Sequence, residues 1–360
     1  MTRIRVLLVA PSLEIVGGQS VQAARLMDAF SSEPEIEAAF QPTNPRLPRL
    51  VSFLRRIKYL RTIATEIAYS VQVLRRSRRV DIIHVFAAGY SSFFLTMAPA
   101  IAAARLRRKP VILNHHDGRA GDHFRRSRFA LYLARSAAAI AVPSAYLVDV
   151  LAKFQLKAMA IFNIVDTGKF CFRPRPKPAP RFLHNRGLEP HYNPGCSIRA
   201  FGIVQGRYPH ATLTMAHDGS SRPSLESLVA DLRLKNVRFL GRVDQAAMRA
   251  LYHECDIYLM SPEVDNMPLS VLECFASGMP VVSTSAGGVP FLVDNGRTGI
   301  LVPLNDHKAL ASAALRIIEE DGLALSLEQN ALAECTRYQP ERVTRDWLAL
   351  YRRLKSQVPN

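Results

Sequence analysis

At 360 residues, with 48% hydrophobic and 21% charged side chains, the chain is too long for one ordinary core and too apolar to be disordered, so two globular domains are expected. Five scattered cysteines with no Cys-x-x-Cys exclude a disulfide framework and a zinc ribbon, and they fit a reducing compartment. The formal net charge of +17 is lopsided: residues 1–170 hold 25 Lys/Arg and 11 Asp/Glu, net +14, and residues 171–360 hold 22 and 19, net +3, which points to an anionic surface meeting the first half.

The chain opens on an apolar run, Ile4–Ala10, too short for a signal peptide and read as a first strand. Gly17-Gly18 follows, then a helical pattern from Gln19 to Phe30. Glycine at such a strand-to-helix turn lets backbone approach a ligand closely, although a plain loop pair reads the same way. Arg46 to Arg79 holds ten basic residues and one acidic, Glu66, with Leu50, Phe53, Leu54, Ile57, Leu60, Ile63, Ile67, Val71 and Leu74 at helical spacing. That pattern describes a basic amphipathic helix able to lie on an anionic membrane, or a core-facing helix with a solvated basic face.

Ile82 to Ala104 carries no formal charge over 23 residues. The polar and helix-breaking residues His84, Gly89, Ser91, Ser92 and Pro99 divide it into a strand, a loop and a buried helix, not a membrane span. Further strand-sized runs stand at Val111–Asn114, Ala138–Val142 and Ala158–Phe162. His115-His116-Asp117 closes one of them, at a carboxyl end where ligands bind such sheets. A zinc site with His123 is conceivable from residue types, but the spacing does not support it.

Arg173 to Arg181, RPRPKPAPR, reads as a linker because proline excludes helix and sheet interiors. Strand-sized runs resume at Arg181–Asn185, Thr212–Ala216, Val237–Leu240, Ile257–Met260, Val281–Thr284 and Ile300–Val302, with helical patterns between them. Such alternation implies parallel sheets covered by helices. The expected architecture is α/β: a domain over 1–170, a linker over 171–180 and a domain over 181–336, as two doubly wound Rossmann-like domains facing across a cleft. Residues 337–360 form a terminal helix, with Trp347, Leu348, Leu350, Tyr351 and Leu354 as its stripe.

The most informative stretch is Ser261 to Val302. Asp265 sits in an Asn266-Met267-Pro268 turn, a helix starts near Pro268, and Glu273 follows eight residues after Asp265. Then come Gly278-Met279-Pro280-Val281-Val282 and Gly287-Gly288-Val289-Pro290-Phe291. Free amides at a helix N-terminus suit phosphate, and two carboxylates suit sugar hydroxyls. The block resembles the donor-site signature of the family-four glycosyltransferases (glycosyl transferases group 1), retaining enzymes of the GT-B fold. That signature is Glu, seven residues, Glu, followed by Gly-x-Pro-Val-Val and Gly-Gly-x-Pro-Glu.

The resemblance implies site residues. Glu273 would hold the ribose hydroxyls; Asp265, Pro268 and the amides of Asn266, Met267 and Leu269 would face the sugar and phosphates. Arg186 would offset the charge on the leaving diphosphate, and His116 would contact the donor sugar or the reacting centre. Gly17 and Gly18 match the loop that approaches donor phosphates or acceptor. In Phe239 to Val243, the backbone near Val243 would hold the base, and an ordinary strand end fits there equally well. In GT-B enzymes the last helix crosses back to the first domain, and 337–360 looks similar; a helix resting on the second domain is the other reading.

This sequence departs from the pattern at four places: His191 stands where the family has Lys, His217 where it has Gly, Phe291 where it has Glu, and Asp265 where it has the first Glu. The implied activity is hexosyl transfer from a nucleotide-diphosphate sugar, as co-substrate, to a glycan or lipid-linked acceptor. No metal and no further cofactor are expected, and no nucleic-acid partner. The implied location is cytoplasmic, peripheral on an anionic inner membrane face through residues 46–79. The alternatives are a non-catalytic nucleotide-sugar binder, motivated by the departures, and a basic nucleic-acid-binding protein, motivated by the charge.

Overall fold

The computed structural model describes residues 3–14, 17–46 and 58–357. The chain divides into two compact units: the first comprises residues up to Ile164 together with Pro340 onward, the second Val165–Gln339. Each is built on a six-stranded, wholly parallel sheet.

In the first unit the elements are β1 (Ile4–Ala10), α1 (Gly18–Ser31), β2 (Ile36–Pro42), α2 (Lys58–Arg76), β3 (Ile82–Ala87), α3 (Tyr90–Arg107), β4 (Val111–His115), α4 (Ala120–Arg126), α5 (Arg128–Arg135), β5 (Ala139–Val142), α6 (Ala145–Ala152) and β6 (Ala158–Ala160). The strand order is β2-β1-β3-β4-β5-β6. A central parallel strand is buried on both faces, which is why β1 and β3 read as mostly apolar runs, interrupted only by the exposed Arg5 and the buried His84. Alternate residues of β1 serve the two faces: Leu7 and Val9 pack with Tyr69, Val73, Phe93 and Met97, while Val6 and Leu8 pack with Leu26, Phe30, Trp347 and Tyr351. Strand β2 lacks such a run and escaped the sequence reading. It is an edge strand, partly exposed, and ends in Pro42, which an edge tolerates.

The C-terminal helix, Pro340–Ser356, completes the second of those faces. Tyr351 Oη lies 2.7 Å from His84 Nδ1, and Asn114 Nδ2 lies 3.0 Å from His84 Nε2. Burial pushes the His84 imidazole down to about 3, so it serves as a neutral polar hub in the core. At the rim, Lys355 Nζ meets Asp81 Oδ2 at 3.1 Å, and Arg352 pairs with Glu35.

The second unit runs β7 (Arg181–His184), α7 (Pro194–Arg207), β8 (Thr212–Met215), α8 (Arg222–Asp231), β9 (Val237–Phe239), α9 (Gln245–Glu254), β10 (Ile257–Met260), α10 (Leu269–Ala276), β11 (Val281–Thr284), β12 (Ile300–Val302), α11 (His307–Glu319) and α12 (Leu323–Glu334). The order is β12-β11-β10-β7-β8-β9.

Two expectations need correction. The helix expected over Arg46–Arg79 is described as α2 from Lys58 with a 3-10 turn at Ser77–Arg79; residues 47–57 of that reading lie outside the described residues. The stretch 171–180, expected as a linker, belongs to the second unit, and the division falls at Ile164/Val165. The reason is Arg175, whose side chain is fully buried. Its guanidinium donates to the carbonyls of Tyr252 (2.6 Å) and Cys255 (3.0 Å) at the end of α9, and of Ser277 (2.8 Å) and Gly278 (2.5 Å) at the end of α10. Its amide donates to Glu328 (3.0 Å), and Asp256 lies 3.5 Å from Nε. Terminal helix carbonyls have no partner within their own helix, and one cation here serves two such ends. Proline content alone cannot reveal a tie of this kind. Among the described residues no helix is long and apolar enough to cross a membrane.

Removing this side chain leaves the buried carbonyls of Tyr252 and Gly278 short of a donor and empties a fully buried site, while Asp256 keeps Arg173 and Arg181. Arg175→Ala should lower the unfolding free energy by about 3–5 kcal/mol. Urea denaturation measures it, and an unchanged midpoint would contradict the tie.

Candidate functional site

The second sheet reverses its winding between β7 and β10: the chain steps outward from β7 to β8 and β9, then returns to the other side of β7. Ligands bind open α/β sheets beyond the carboxyl ends of the strands at such a point. Residues from both sides meet there. Arg186, just after β7, places Nη2 2.6 Å from Oδ2 of Asp265, in the loop after β10. The Arg186 guanidinium carbon lies 4.4 Å from the centre of the Tyr192 ring. Burial works against the Arg186 charge, but the adjacent Asp265 outweighs it and its pKa rises. Its Nε is buried with no hydrogen-bond partner among the described residues. A buried guanidinium N–H without an acceptor is costly unless something else fills that role.

Asp265 owes its position to glycine. Its carbonyl accepts from Gly288 N at 2.9 Å, and its Oδ1 accepts from Asn266 N at 2.9 Å. A Cβ on Gly287 would stand 2.3 Å from Asp265 O, and one on Gly288 would stand 1.9 Å from Asn266 O. Gly287 also has φ +50°, a left-handed conformation that side chains disfavour. The Gly-Gly loop after β11 is thus the backing plate of the Asp265–Asn266 turn. The same loop is anchored on its other side: Glu263 N donates to His191 O at 3.0 Å, and Thr284 Oγ1 donates to Pro262 O at 2.6 Å.

Pro268 stands immediately before α10, with Leu269 as its first residue. Met267 and Pro268 are buried, and Leu269 and Glu273 are half-buried. Glu273 Oε2 accepts from Tyr252 Oη at 2.8 Å. That hydroxyl in turn accepts from Asn185 Nδ2 at 2.7 Å, and Tyr258 Oη donates to Asn185 Oδ1 at 2.7 Å, with Ser270 Oγ 2.9 Å away. A continuous hydrogen-bond chain therefore runs from Glu273 to the residue beside Arg186. Burial and the Glu273 charge hold the Tyr252 hydroxyl far above its ordinary pKa, so it stays a donor.

The structure thus brings Arg186, Asp265, Asn266, Met267, Pro268, Leu269 and Glu273 to one end of one sheet. His191 lies in a 3-10 turn, Pro190–Tyr192; its backbone carbonyl holds the loop after β10, and its ring packs on Tyr192 at 4.1 Å. Val243 lies between β9 and α9 and is half-exposed. Tyr252, Asn185, Tyr258 and Tyr192 were missed as partners. Tyr252 sits 21 residues before Glu273 on another helix, and no local pattern announces that pairing.

Three of the expected residues belong to the first unit. Gly17 caps α1 in an extended conformation and Gly18 begins it, and a Cβ at either would meet nothing within 4 Å. The protein's own packing therefore does not require glycine there. His116, after β4, stacks on Phe86 at 5.0 Å, and burial, then the His115 charge, push it down to about 3. Its Nε2 is buried with no hydrogen-bond partner among the described residues. His123 accepts from the Tyr90 amide at 3.1 Å. Among the described residues, no three His, Cys, Asp or Glu side chains group as metal ligands.

The family model "Glycosyl transferases group 1" matches residues 172–334, and "Glycosyltransferase Family 4" matches residues 16–169. The glycogen synthase of Mycobacterium tuberculosis is 28% identical over 266 residues, which is 69% of this chain and 63% of that protein. The D-inositol 3-phosphate glycosyltransferase of Corynebacterium urealyticum is 28% identical over 169 residues, 45% of this chain and 40% of that protein. The chain thus spans less than two-thirds of the length of these curated relatives. Among solved structures, Anabaena Alr3699/HepE in complex with UDP-glucose superposes with a TM-score of 0.76 at 18% identity, over 97% of this chain and 99% of that one. Sucrose-phosphate synthase from Thermosynechococcus elongatus gives 0.72 at 18% identity, over 98% and 100%. These similarities show the two-domain Rossmann-like GT-B fold.

The glycine backing is open to a direct check. Gly288→Ala cannot be accommodated without moving the Asp265–Asn266 backbone, and overpacking of this kind costs about 1–3 kcal/mol. Thermal and urea unfolding should both show the loss, and a variant as stable as the parent would mean that the loop is not pressed against the turn.

Proposed function

The chain belongs to the family-four glycosyltransferases, the glycosyl transferases group 1, and we propose that it moves a hexosyl group from a nucleotide-diphosphate sugar to an acceptor hydroxyl with retained configuration at the anomeric carbon. The bond from that carbon to the diphosphate oxygen breaks, a bond to the acceptor oxygen forms on the same face, and the acceptor proton passes to the leaving diphosphate. The observation that carries this reading is the Arg186–Asp265 pair at the winding reversal, with a guanidinium N–H buried and unaccepted. A diphosphate supplies the missing acceptor, and Arg186 offsets the charge that develops on it as it leaves, which lowers the barrier electrostatically. Asp265 orients the guanidinium in the meantime and faces the sugar with the amides of Asn266, Met267 and Leu269. Glu273, presented by Tyr252, takes the ribose hydroxyls. No side chain is assigned as a nucleophile.

UDP and UDP-glucose, the ligands of the Anabaena protein's structures, are the first donors to try. A second reading, binding without turnover, is motivated by His191, His217 and Phe291, the last exposed in a 3-10 turn after the Gly-Gly loop. Slow release of sugar from the donor separates the two readings.

For the acceptor we propose a lipid-linked or membrane-bound molecule, reached from the cytoplasmic face of an anionic membrane. The support is α2, which exposes Leu60, Ile63, Ile67 and Val71 at helical spacing and ends in the exposed cations Arg75, Arg76, Arg78 and Arg79.

Two measurements test these assignments. Glu273→Ala removes a charged acceptor and should weaken nucleotide-sugar binding by about 1.5–3 kcal/mol, read by calorimetry. Unchanged affinity for every nucleotide-sugar would sink the donor-site assignment. Changing Arg61, Arg75, Arg78 and Arg79 together to Gln should release the protein from anionic vesicles, since each cation near such a surface contributes about 1 kcal/mol. Equal flotation of parent and variant would remove the membrane proposal.

A further inference from the structure

Two cavities of the first unit share a wall formed by Glu66 and Leu95. The first, of about 790 Å³, opens beyond the carboxyl ends of β1, β2 and β3. Its lining mixes hydroxyls, Ser12, Thr43, Ser91 and Ser92 among them, with the charged side chains of Glu14, Arg46 and Arg61. The loops after β1 and β2 are joined there, where Ser12 N donates to Asn44 Oδ1 at 2.9 Å. The second, of about 520 Å³, is a groove between α2 and α3. Apart from Glu66 and Ser70 its lining is apolar, with Leu74, Phe94, Ala98, Pro99, Ala102 and Leu106 among the walls. Beside the groove Tyr69 Oη donates to Thr96 O at 2.9 Å, which ties the two helices together.

Helix α3 has no charged side chain from Tyr90 to Ala104, and it leaves Leu95, Ala102 and Leu106 exposed, the last at 64%. Helix α2 leaves Ile67 60% exposed on its outer side. Contiguous apolar surface of this kind marks a binding face. Cations rim it where both helices end: Arg75 and Arg76 on α2, Arg78 and Arg79 in the 3-10 turn after it, Arg105 on α3 and Arg108 just past it, all exposed. At the junction of the two cavities, burial lifts the Glu66 carboxyl to about 7, so a substantial neutral fraction exists at ordinary pH. A neutral carboxyl can both donate to a hydroxyl and border an alkyl chain at low cost.

We propose that this unit binds an amphiphilic acceptor drawn from an anionic bilayer, with its hydroxylated head in the cavity beyond β1, β2 and β3 and its alkyl chain in the α2–α3 groove. The proposal rests on the lipid-linked acceptor reading above and gives it a seat. A polar pocket selects the head, an apolar groove adjoining it at Glu66 and Leu95 selects the tail, and the cationic rim complements the membrane. A free sugar would leave the groove in water; a plain fatty chain would leave the hydroxyls unmatched.

The test is a chain-length series. Binding of methyl, octyl and dodecyl maltoside and glucoside to the full chain is titrated below the critical micelle concentration. Each CH₂ taken out of water contributes a factor of about four, so four buried groups give a gain on the order of a hundredfold from methyl to dodecyl. Ala102→Trp fills the groove and should collapse that ratio toward one. Leu106→Glu, at the exposed end of the groove, should do the same, and its exposure keeps the fold out of question. No dodecyl binding, a parent ratio near one, or a ratio that survives both variants overturns the proposal. UDP-glucose titrated into the same parent protein keeps the outcomes distinct. Donor binding with a ratio near one removes only the groove; a large ratio without binding of any nucleotide-sugar removes the glycosyltransferase reading and leaves the amphiphile site standing.

Discussion

Much of the second unit hangs on one buried guanidinium. Arg175 satisfies carbonyls at the ends of both α9 and α10, and those helices carry Tyr252 and Glu273. Helix ends leave carbonyls that must find partners, and burying a cation is tolerable only when it is richly hydrogen-bonded. Each requirement answers the other here. The price of burial shows in the Arg175 pKa, which desolvation pushes down to about 10. The result is a fixed spacing between two helices, and with it a fixed Tyr252–Glu273 hydrogen bond.

The loop after β10 is held by different means for a related end. Its geometry is set by backbone on both sides: the His191 carbonyl on one, the Gly287-Gly288 loop on the other. Because the contacts are backbone to backbone, side chains in the loop stay available for other partners, and Asp265 turns its carboxylate to Arg186. The arrangement is preorganised: the Arg186 charge is already in place at the winding reversal and needs no large rearrangement to meet the proposed diphosphate. The first unit uses another device, a neutral histidine. His84 joins Tyr351 of the C-terminal helix to Asn114 of β4 through the core, which secures a helix distant in sequence to the sheet it covers.

The basic, apolar face of α2 and α3 follows from the same economy of packing. Both helices bury one side in the core with Tyr69, Val73, Phe93 and Met97. Nothing in that core requires Ile63, Ile67 or Leu106 on the outer side, where polar residues would serve a solvent-facing helix better. Their presence, together with a rim of arginines, is what motivates the proposal of an apolar and anionic partner for this surface.

Among the described residues, eleven of the twelve strands were legible in the sequence, because most parallel strands are short, largely apolar runs that need no partner to be recognised. So were the Asp265–Glu273 spacing and the Gly-Gly loop, since a helix and two tight turns impose local constraints on residue type. What the sequence could not express was contact between distant segments. It could not say that β2 is a strand, because an edge strand is only partly buried and lacks the apolar run. It read Arg173–Arg181 as a linker, because proline limits local conformation while the fate of Arg175 is decided by four carbonyls and two carboxylates elsewhere in the chain. Nor could it pair Tyr252 with Glu273 or aim Arg186 at Asp265. Local periodicity determined which elements form and where glycine is needed; tertiary packing alone decided which side chains meet, because hydrogen bonds and charges act over a few ångströms in space whatever the distance along the chain.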